Sequence, residues 1–492
     1  MKKFVSSILV SSLLIGSFIA PLPNNNAQAT NEISVVEKVN STKEFIIGVK
    51  AGTGNIESVA NDVSRLGGTV LKTWGFINSL AVEMVPAKVH MLATNPHVMF
   101  INENSEVETA KSKSTSVPDS KLVVNAYNEA VSAEKVWSKG YTGKGVTVAV
   151  VDSGIAEGNG SDFSGRIIAN QKFADTNQMS DFFGHGTHVA GIIGGDGSQS
   201  GGKYVGVAPG VNLVNVKISD DEGRTGEKNL VDSLQWIYEN HEKYNIRVVN
   251  ISNQIATKQS YKESATNAAV QLLWKAGIVV VVSAGNKGGT DCSVCYAPAN
   301  DPHVITVGAV DDNGTKDLVD DSLKSWSASG TTLDGHSKPE VVAPGSEIVA
   351  YMPKGTIRDI RPGNIVDKSY FRMGGTSMSA PVVSGIVALM LQVNPDLTPD
   401  QVKWVLKNTT REYAYQPSGT GGMVRADAAV FFDKSQIPQN VSQNYEISPL
   451  LNPLADENGS FSNISWANIS WANISWANIS WANISWANNF EY

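Results

Sequence analysis

Gly145-Val-Thr-Val-Ala-Val-Val151 is a run of β-branched and apolar residues closed by Asp152-Ser153-Gly154. Polar and apolar residues do not alternate in it, so both faces of the strand are suited to burial, as in a parallel sheet covered by helices on both sides. Four more runs of this kind follow: Asn212 to Ile218, Ile246 to Ile251, Ile278 to Ser283 and Val304 to Val310. Between them, Glu227 to Tyr244 and Tyr261 to Ala276 have helical spacing. This alternation predicts an α/β doubly wound, mostly parallel sheet, a fold in which active sites collect at the carboxyl ends of strands.

Residues 43 to 107 have a pattern of their own. Glu44 to Lys50 alternates like a strand, and Asn55 to Leu66 is helix-like and stopped by Gly67-Gly68. Thr69 to Lys72 and Leu80 to Val85 read as apolar strands, Ala87 to Thr94 as a second helix and Val98 to Glu103 as a last strand. The order strand-helix-strand-strand-helix-strand is the ferredoxin-like α+β arrangement. From Asn104 to Asp119 the chain is rich in Ser, Lys and Glu and reads as an exposed, protease-sensitive linker.

At 492 residues the chain has room for several units. Its net charge of −8, with no long Lys/Arg run past the first residues, gives no electrostatic footprint for nucleic acid. Lys2 and Lys3, the apolar stretch Phe4 to Ala20 and Ala27-Gln28-Ala29 read together as an export signal cleaved after Ala29. An uncleaved membrane anchor is the alternative, but serines interrupt the apolar stretch. No other segment reads as apolar for long enough to span a membrane. The expected units are a signal (1–29), a small N-terminal unit with its linker (30–116), the main domain (117–432) and a C-terminal extension (433–492).

In that extension Asn-Ile-Ser-Trp-Ala repeats five times from Asn463 to Ala487. A five-residue period matches neither strand nor helix, so the bland reading is a low-complexity tail. A pentapeptide solenoid would be too short to stabilise itself, and the regular tryptophans alternatively offer an adhesive surface for cell-wall polymers. The Asn-Ile-Ser sequons are discounted because the signal looks bacterial. The two cysteines, Cys292 and Cys295, are too few to close a zinc site. After export they suit a small disulfide, with free thiols or a redox pair as alternatives.

Three segments place chemistry where strands end or helices begin. The first strand delivers Asp152. Phe183-Gly-His-Gly-Thr-His-Val-Ala-Gly191 opens a small-residue helix at His185, and Gly374-Gly-Thr-Ser-Met-Ser-Ala-Pro381 puts Ser377 at the start of an apolar helix. Each alone is weak, since Ser before a helix is an ordinary cap and His188 reads as a packing residue that hydrogen-bonds locally. Together, in the order Asp, His, Ser, they resemble the subtilisin-like proteases, the subtilases. The resemblance covers about residues 125 to 432.

It implies a secreted serine endopeptidase that acts on extended polypeptides through an acyl-enzyme, with Asp152, His185 and Ser377 as the triad. Val282-Ser-Ala-Gly-Asn286 resembles the family's oxyanion segment, so the Asn286 amide and the Ser377 backbone N–H are the expected donors. Ser252, Asn253 and Gln254, with Ser283, Ala284 and Gly285, are the expected substrate-binding segments. Asn253-Gln254-Ile255 stands where the family commonly has glycines, a departure that implies a differently shaped pocket. Cys292 to Ala297 resembles the lining of the primary specificity pocket, which a Cys292–Cys295 disulfide would stiffen or narrow. The N-terminal unit, with Trp74-Gly-Phe-Ile-Asn78, resembles the subtilase propeptide, an inhibitor and folding template cut off somewhere between Glu106 and Leu122. No cofactor is required for this chemistry. Calcium is common in the family, but no loop is specific enough to name ligands, and Asp220-Asp221-Glu222 reads equally as a solvated turn.

Rival readings fare worse. There is no Gly-x-Ser-x-Gly elbow for an α/β-hydrolase and no His-Glu-x-x-His for a zinc peptidase. The remaining rival is a surface-binding protein that works through its repeat tail.

Overall fold

The structure, a computed structural model, describes residues 41–109, 126–157, 160–289, 291–317, 319–414, 416–417, 419–441 and 445–454. The expected export signal, the repeats and residues 110–119 of the expected linker lie outside the described residues.

The N-terminal unit follows the anticipated order. β1 (Lys43–Val49), α1 (Asn55–Arg65), β2 (Thr69–Trp74), β3 (Ser79–Met84), α2 (Pro86–Leu92) and β4 (Val98–Glu103) build an antiparallel sheet of order β2-β3-β1-β4. The anticipated alternation along β1 is absent, since Phe45 to Val49 are all buried. Both faces of this sheet are covered. Phe45, Ile47, Leu80 and Val82 meet Val59, Val63 and Leu92 of the helices, while Ile46, Ala81 and Phe100 join the core of the main domain.

The main domain is built on β6 (Thr147–Asp152), β7 (Ile167–Lys172), β8 (Asn212–Lys217), β9 (Ile246–Ile251), β11 (Val279–Ser283), β12 (Ile305–Asp311) and β13 (Ser322–Leu323). Their order is β13-β12-β11-β9-β6-β8-β7, with Val341–Pro344 added on β12. Every pair is parallel except β12 with β13. Helices α3 (His185–Gly194), α4 (Glu227–Tyr244), α5 (Ala265–Lys275) and α6 (Thr376–Val393) pack on the sheet. The fold is the α/β doubly wound type.

α6 corrects one expectation. With eighteen residues and a mean hydropathy of 1.5 it is long and apolar enough for a membrane span, yet 89% of it is buried inside the domain. A helix enclosed all round by a core has no polar face to keep, so composition alone does not separate it from a span.

The stretch from Asn104 also departs from the linker reading. Val107–Thr109 forms β5, antiparallel to β10 (Asn253–Ile255), with Thr109 opposite Asn253, Glu108 opposite Gln254 and Val107 opposite Ile255. Val107 is buried. Polar composition concealed a strand whose backbone is satisfied by a partner more than a hundred residues away. The main domain likewise extends past residue 432, because Ile437, Leu450 and Leu451 are buried against it.

Candidate active site

Three neighbouring parallel strands, β6, β9 and β11, end at one place. β6 ends in Asp152, β9 leads to Ser252 and β11 leads to Asn286. α3 comes so close to the end of β6 that only glycine fits at its second residue: a Cβ on Gly186 would lie 2.2 Å from the Gly154 carbonyl oxygen and 3.0 Å from Asp152 Cβ. The Gly186 N–H donates to Ser153 Oγ at 2.9 Å. This approach sets His185 Nδ1 2.8 Å from Asp152 Oδ1, with both residues buried. Asp152 Oδ1 also accepts from the Ser153 N–H at 2.7 Å.

Burial opposes charge on the His185 imidazole, but the Asp152 carboxylate and its hydrogen bond outweigh it, so the pKa stands above the ordinary 6.5. His185 Nε2 is buried and makes no hydrogen bond. His188, one turn on, is bonded at Nε2 to the Phe371 carbonyl at 2.9 Å, and burial lowers its pKa to about 3. It is a neutral packing residue, as read from the sequence, but the expected local hydrogen bond is instead made to a residue 183 positions away.

Ser377 is the second residue of α6 and is fully buried. Its hydroxyl donates to the Ser252 carbonyl at 2.9 Å, and its own carbonyl accepts from Ser252 Oγ at 3.0 Å. Pro381 explains the second bond. Lacking an N–H, it leaves the carbonyl four residues back, that of Ser377, without its helical donor. Asn250 Nδ2 donates to the same Ser252 hydroxyl, and Ser384 Oγ donates to Asn250 Oδ1, each at 2.9 Å. The end of β9 and the start of α6 are thus joined by a buried polar network.

Asn286 is oriented by Thr376. Its Oδ1 accepts from the Thr376 N–H at 3.0 Å and from the Thr376 hydroxyl at 2.9 Å, while that hydroxyl accepts from the Gly285 N–H at 3.0 Å. With the oxygen side of the amide committed, Nδ2 is buried and free of any partner. The N–H of Ser377, in the first turn of α6, has no intrahelical acceptor either.

The anticipated substrate segments lie beside this group. Asn253 and Gln254 belong to β10, and Asn253 Nδ2 donates to the Val151 carbonyl at 3.1 Å. Gln254 reaches across to the Ser283-Ala284-Gly285 segment, where a Cβ on Gly285 would sit 2.3 Å from Gln254 Oε1. Cys292 and Cys295 form a disulfide next to the Thr331 carbonyl. Among the described residues no group of three or more His, Cys, Asp or Glu side chains is placed to hold a metal. Asp220 and Glu222 both pair with Arg224.

Several residues at the site escaped sequence reasoning. Asp181 caps α3 from outside it, accepting from the Gly184 N–H at 2.7 Å and from the Thr187 N–H and hydroxyl at 2.9 and 2.6 Å. An Asp four residues ahead of the helical His was its only signal. Thr376 was visible only as a neighbour of Ser377. Lys287, next to Asn286, lies 3.2 Å from Glu108 of β5 and 3.9 Å from the centre of the Tyr296 ring.

A profile of the subtilase family matches residues 143–435. Serine protease AprX of Bacillus subtilis is 37% identical over 350 residues, covering 68% of this chain and 75% of that protein. Subtilisin E of the same organism is 32% identical over 413 residues, covering 83% and 93%. Among solved structures, fervidolysin from Fervidobacterium pennivorans, a keratinolytic enzyme related to subtilisin, superposes with a TM-score of 0.63 at 25% identity. That superposition covers 81% of this chain but only 62% of fervidolysin. The chain belongs to the subtilase family and is a serine endopeptidase.

Proposed function

We propose that the chain is an exported endopeptidase, made as a precursor that cuts itself, with Ser377 as nucleophile, His185 as base and Asp152 as its orienting carboxylate. The observation that supports this best is the junction of the buried Asp152–His185 pair, the Ser377 hydroxyl and the free Asn286 Nδ2 at adjacent strand ends. Attack begins when the Ser377 hydroxyl turns from the Ser252 carbonyl to His185 Nε2. Its oxygen bonds to the substrate carbonyl carbon as its proton passes to the imidazole. Asp152 stabilises the imidazolium. Asn286 Nδ2 and the Ser377 N–H receive the charge that develops on the carbonyl oxygen. The imidazolium then gives its proton to the leaving amine, and water, deprotonated by the same nitrogen, attacks the acyl carbon; the acyl–Oγ bond breaks and the proton passes from His185 to Ser377 Oγ as the acid leaves.

The N-terminal unit is read as the inhibitor. Trp74 Nε1 donates to Asp232 of α4 at 2.8 Å, and Asn102 Nδ2 donates to Gln259 Oε1 and the Glu263 carbonyl. Asn104 Oδ1 and the Ser105 carbonyl accept the first free N–H groups of α4, those of Lys228 and Glu227, both at 2.9 Å. The exit strand β5 then lies on β10 as an extended peptide would. The pairing of Val107–Thr109 with β10 favours a processing bond in the later part of the expected Glu106 to Leu122 range. The disulfide is proposed to narrow the primary pocket; a cleavage profile unchanged in Cys292→Ser would count against it. The tryptophan repeats are proposed to hold the enzyme on wall polymer, which a chain ending at residue 454 would no longer bind.

The test is expression of wild type and Ser377→Ala. The wild type is expected to lose an N-terminal fragment and hydrolyse casein, and Ser377→Ala to do neither. Equal processing in both would refute self-cleavage.

A further inference from the structure

The chain past the matched family region returns to the body of the protein. The Tyr261 hydroxyl donates to the Glu446 carbonyl at 3.0 Å, and the Glu446 carboxylate pairs with Lys262. The Tyr445 ring meets His336 edge-on, centroids 4.9 Å apart. The buried Ser448 N–H donates to Gln271 Oε1, on α5, at 2.7 Å. Leu450 and Leu451 are fully buried.

The same segment touches the N-terminal unit. The short turn Gly75–Ile77 packs both on α5 and on the turn Pro449–Leu454. Asn78 ends it at φ 45°, a left-handed conformation that asparagine tolerates better than most residues. Fixed in this way, the Asn78 side-chain amide donates to the Leu450 carbonyl at 2.8 Å, a contact between residues 372 apart in sequence. Ile77, beside it, is fully buried.

We propose that residues 445–451 are part of the seat on which the N-terminal unit docks, so that the C-terminal extension helps to hold the inhibitor in place. This rests on the reading of that unit as the inhibitor. Coupling is reciprocal: whatever the C-terminal segment adds to docking, docking adds to the attachment of the segment. Departure of the cut N-terminal unit removes the donor to the Leu450 carbonyl and the cover over the turn. Residues 445–454 then loosen in the matured enzyme.

The test uses the uncleaved Ser377→Ala chain in three forms: ending at residue 492, at 454 and at 441. Amide hydrogen exchange over residues 43–103 is the readout. The chain ending at 454 is expected to match the full chain. The chain ending at 441 should exchange faster in the N-terminal unit by about tenfold or more, the factor of one lost net hydrogen bond together with apolar cover. Asn78→Gly, which keeps the left-handed backbone and removes the amide, gives the same direction without truncation. Unchanged exchange in both refutes the seat. In the active chain the same changes should shorten the lag between cleavage and casein hydrolysis. Faster exchange with an unchanged lag would overturn the role in inhibition, whereas a wild type that never cuts itself would refute the precursor reading and leave the exchange result to decide the contact.

Discussion

Replacing Asn286 by Leu keeps the side chain's approximate shape and removes its donor. In the resting structure Nδ2 is buried and bonded to nothing, while Oδ1 is held by the Thr376 N–H and hydroxyl. In the proposed mechanism this donor is used only when charge appears on the substrate oxygen. Such an interaction lowers the barrier without tightening ground-state binding. Removal of one oxyanion-hole donor in a subtilisin costs about 2.7–4 kcal/mol. At about 1.4 kcal/mol per decade this is a loss of roughly 10²–10³ in kcat with KM little changed. The substitution also strands the Thr376 donors, which costs stability, so rates must be normalised to titrated active sites. Thr376→Val is the companion variant. It leaves Asn286 Oδ1 one of its two donors, so its loss in kcat should be several-fold and smaller than that of Asn286→Leu. A chromogenic peptide amide serves as substrate. A kcat within threefold of wild type, or a raised KM at unchanged kcat, would refute the assignment of Nδ2.

Other consequences follow from the site's electrostatics and neighbours. His185 must be neutral to accept the proton and its pKa is raised, so kcat/KM should fall as pH drops, with a midpoint above 6.5. A midpoint below that value would contradict the Asp152 pairing. Burial pushes the Glu227 carboxyl up to about 7 against hydrogen bonds from Thr266. The folded state then holds the proton more tightly than the unfolded one. The stability this contributes is full below about pH 4.5 and is lost as pH rises through about 7, a swing of roughly 3 kcal/mol. In the Ser377→Ala background, Glu227→Gln should therefore gain on wild type between pH 5 and pH 8 in urea unfolding; a constant difference would refute this. Lys287 faces Glu108, whose place opposite Gln254 a substrate residue would take. Peptides with Glu there should be cut about three- to fivefold better than those with Lys, given a half-exposed ion pair. Lys287→Glu should reverse the order, and an unaltered preference would remove Lys287 as a determinant.

Much of this site was legible because its residues sit at chain transitions. The run into Asp152 is apolar on both faces, and the glycines around His185 and before Ser377 announce close approach, so strand ends and helix starts could be read directly. Features that depend on distant partners could not. The strand Val107–Thr109 lies in a polar stretch and exists because β10 completes its hydrogen bonds. The cap from Asp181 and the clamp by Thr376 are made by ordinary residues whose roles come from placement. α6 looked like any apolar helix, and only its position in the core separates it from a membrane span. The docking of residues 445–451 follows a polar stretch that carries no signal of its destination.

In the proposed mechanism Ser377 is the nucleophile activated by His185. The most direct test of this is covalent: treat the matured wild-type enzyme with a fluorophosphonate and map the modified peptide by mass spectrometry. One adduct is expected, on Ser377, formed at a rate that falls sharply in His185→Ala. An adduct on another serine, or equal labelling of Ser377 in both proteins, would contradict it.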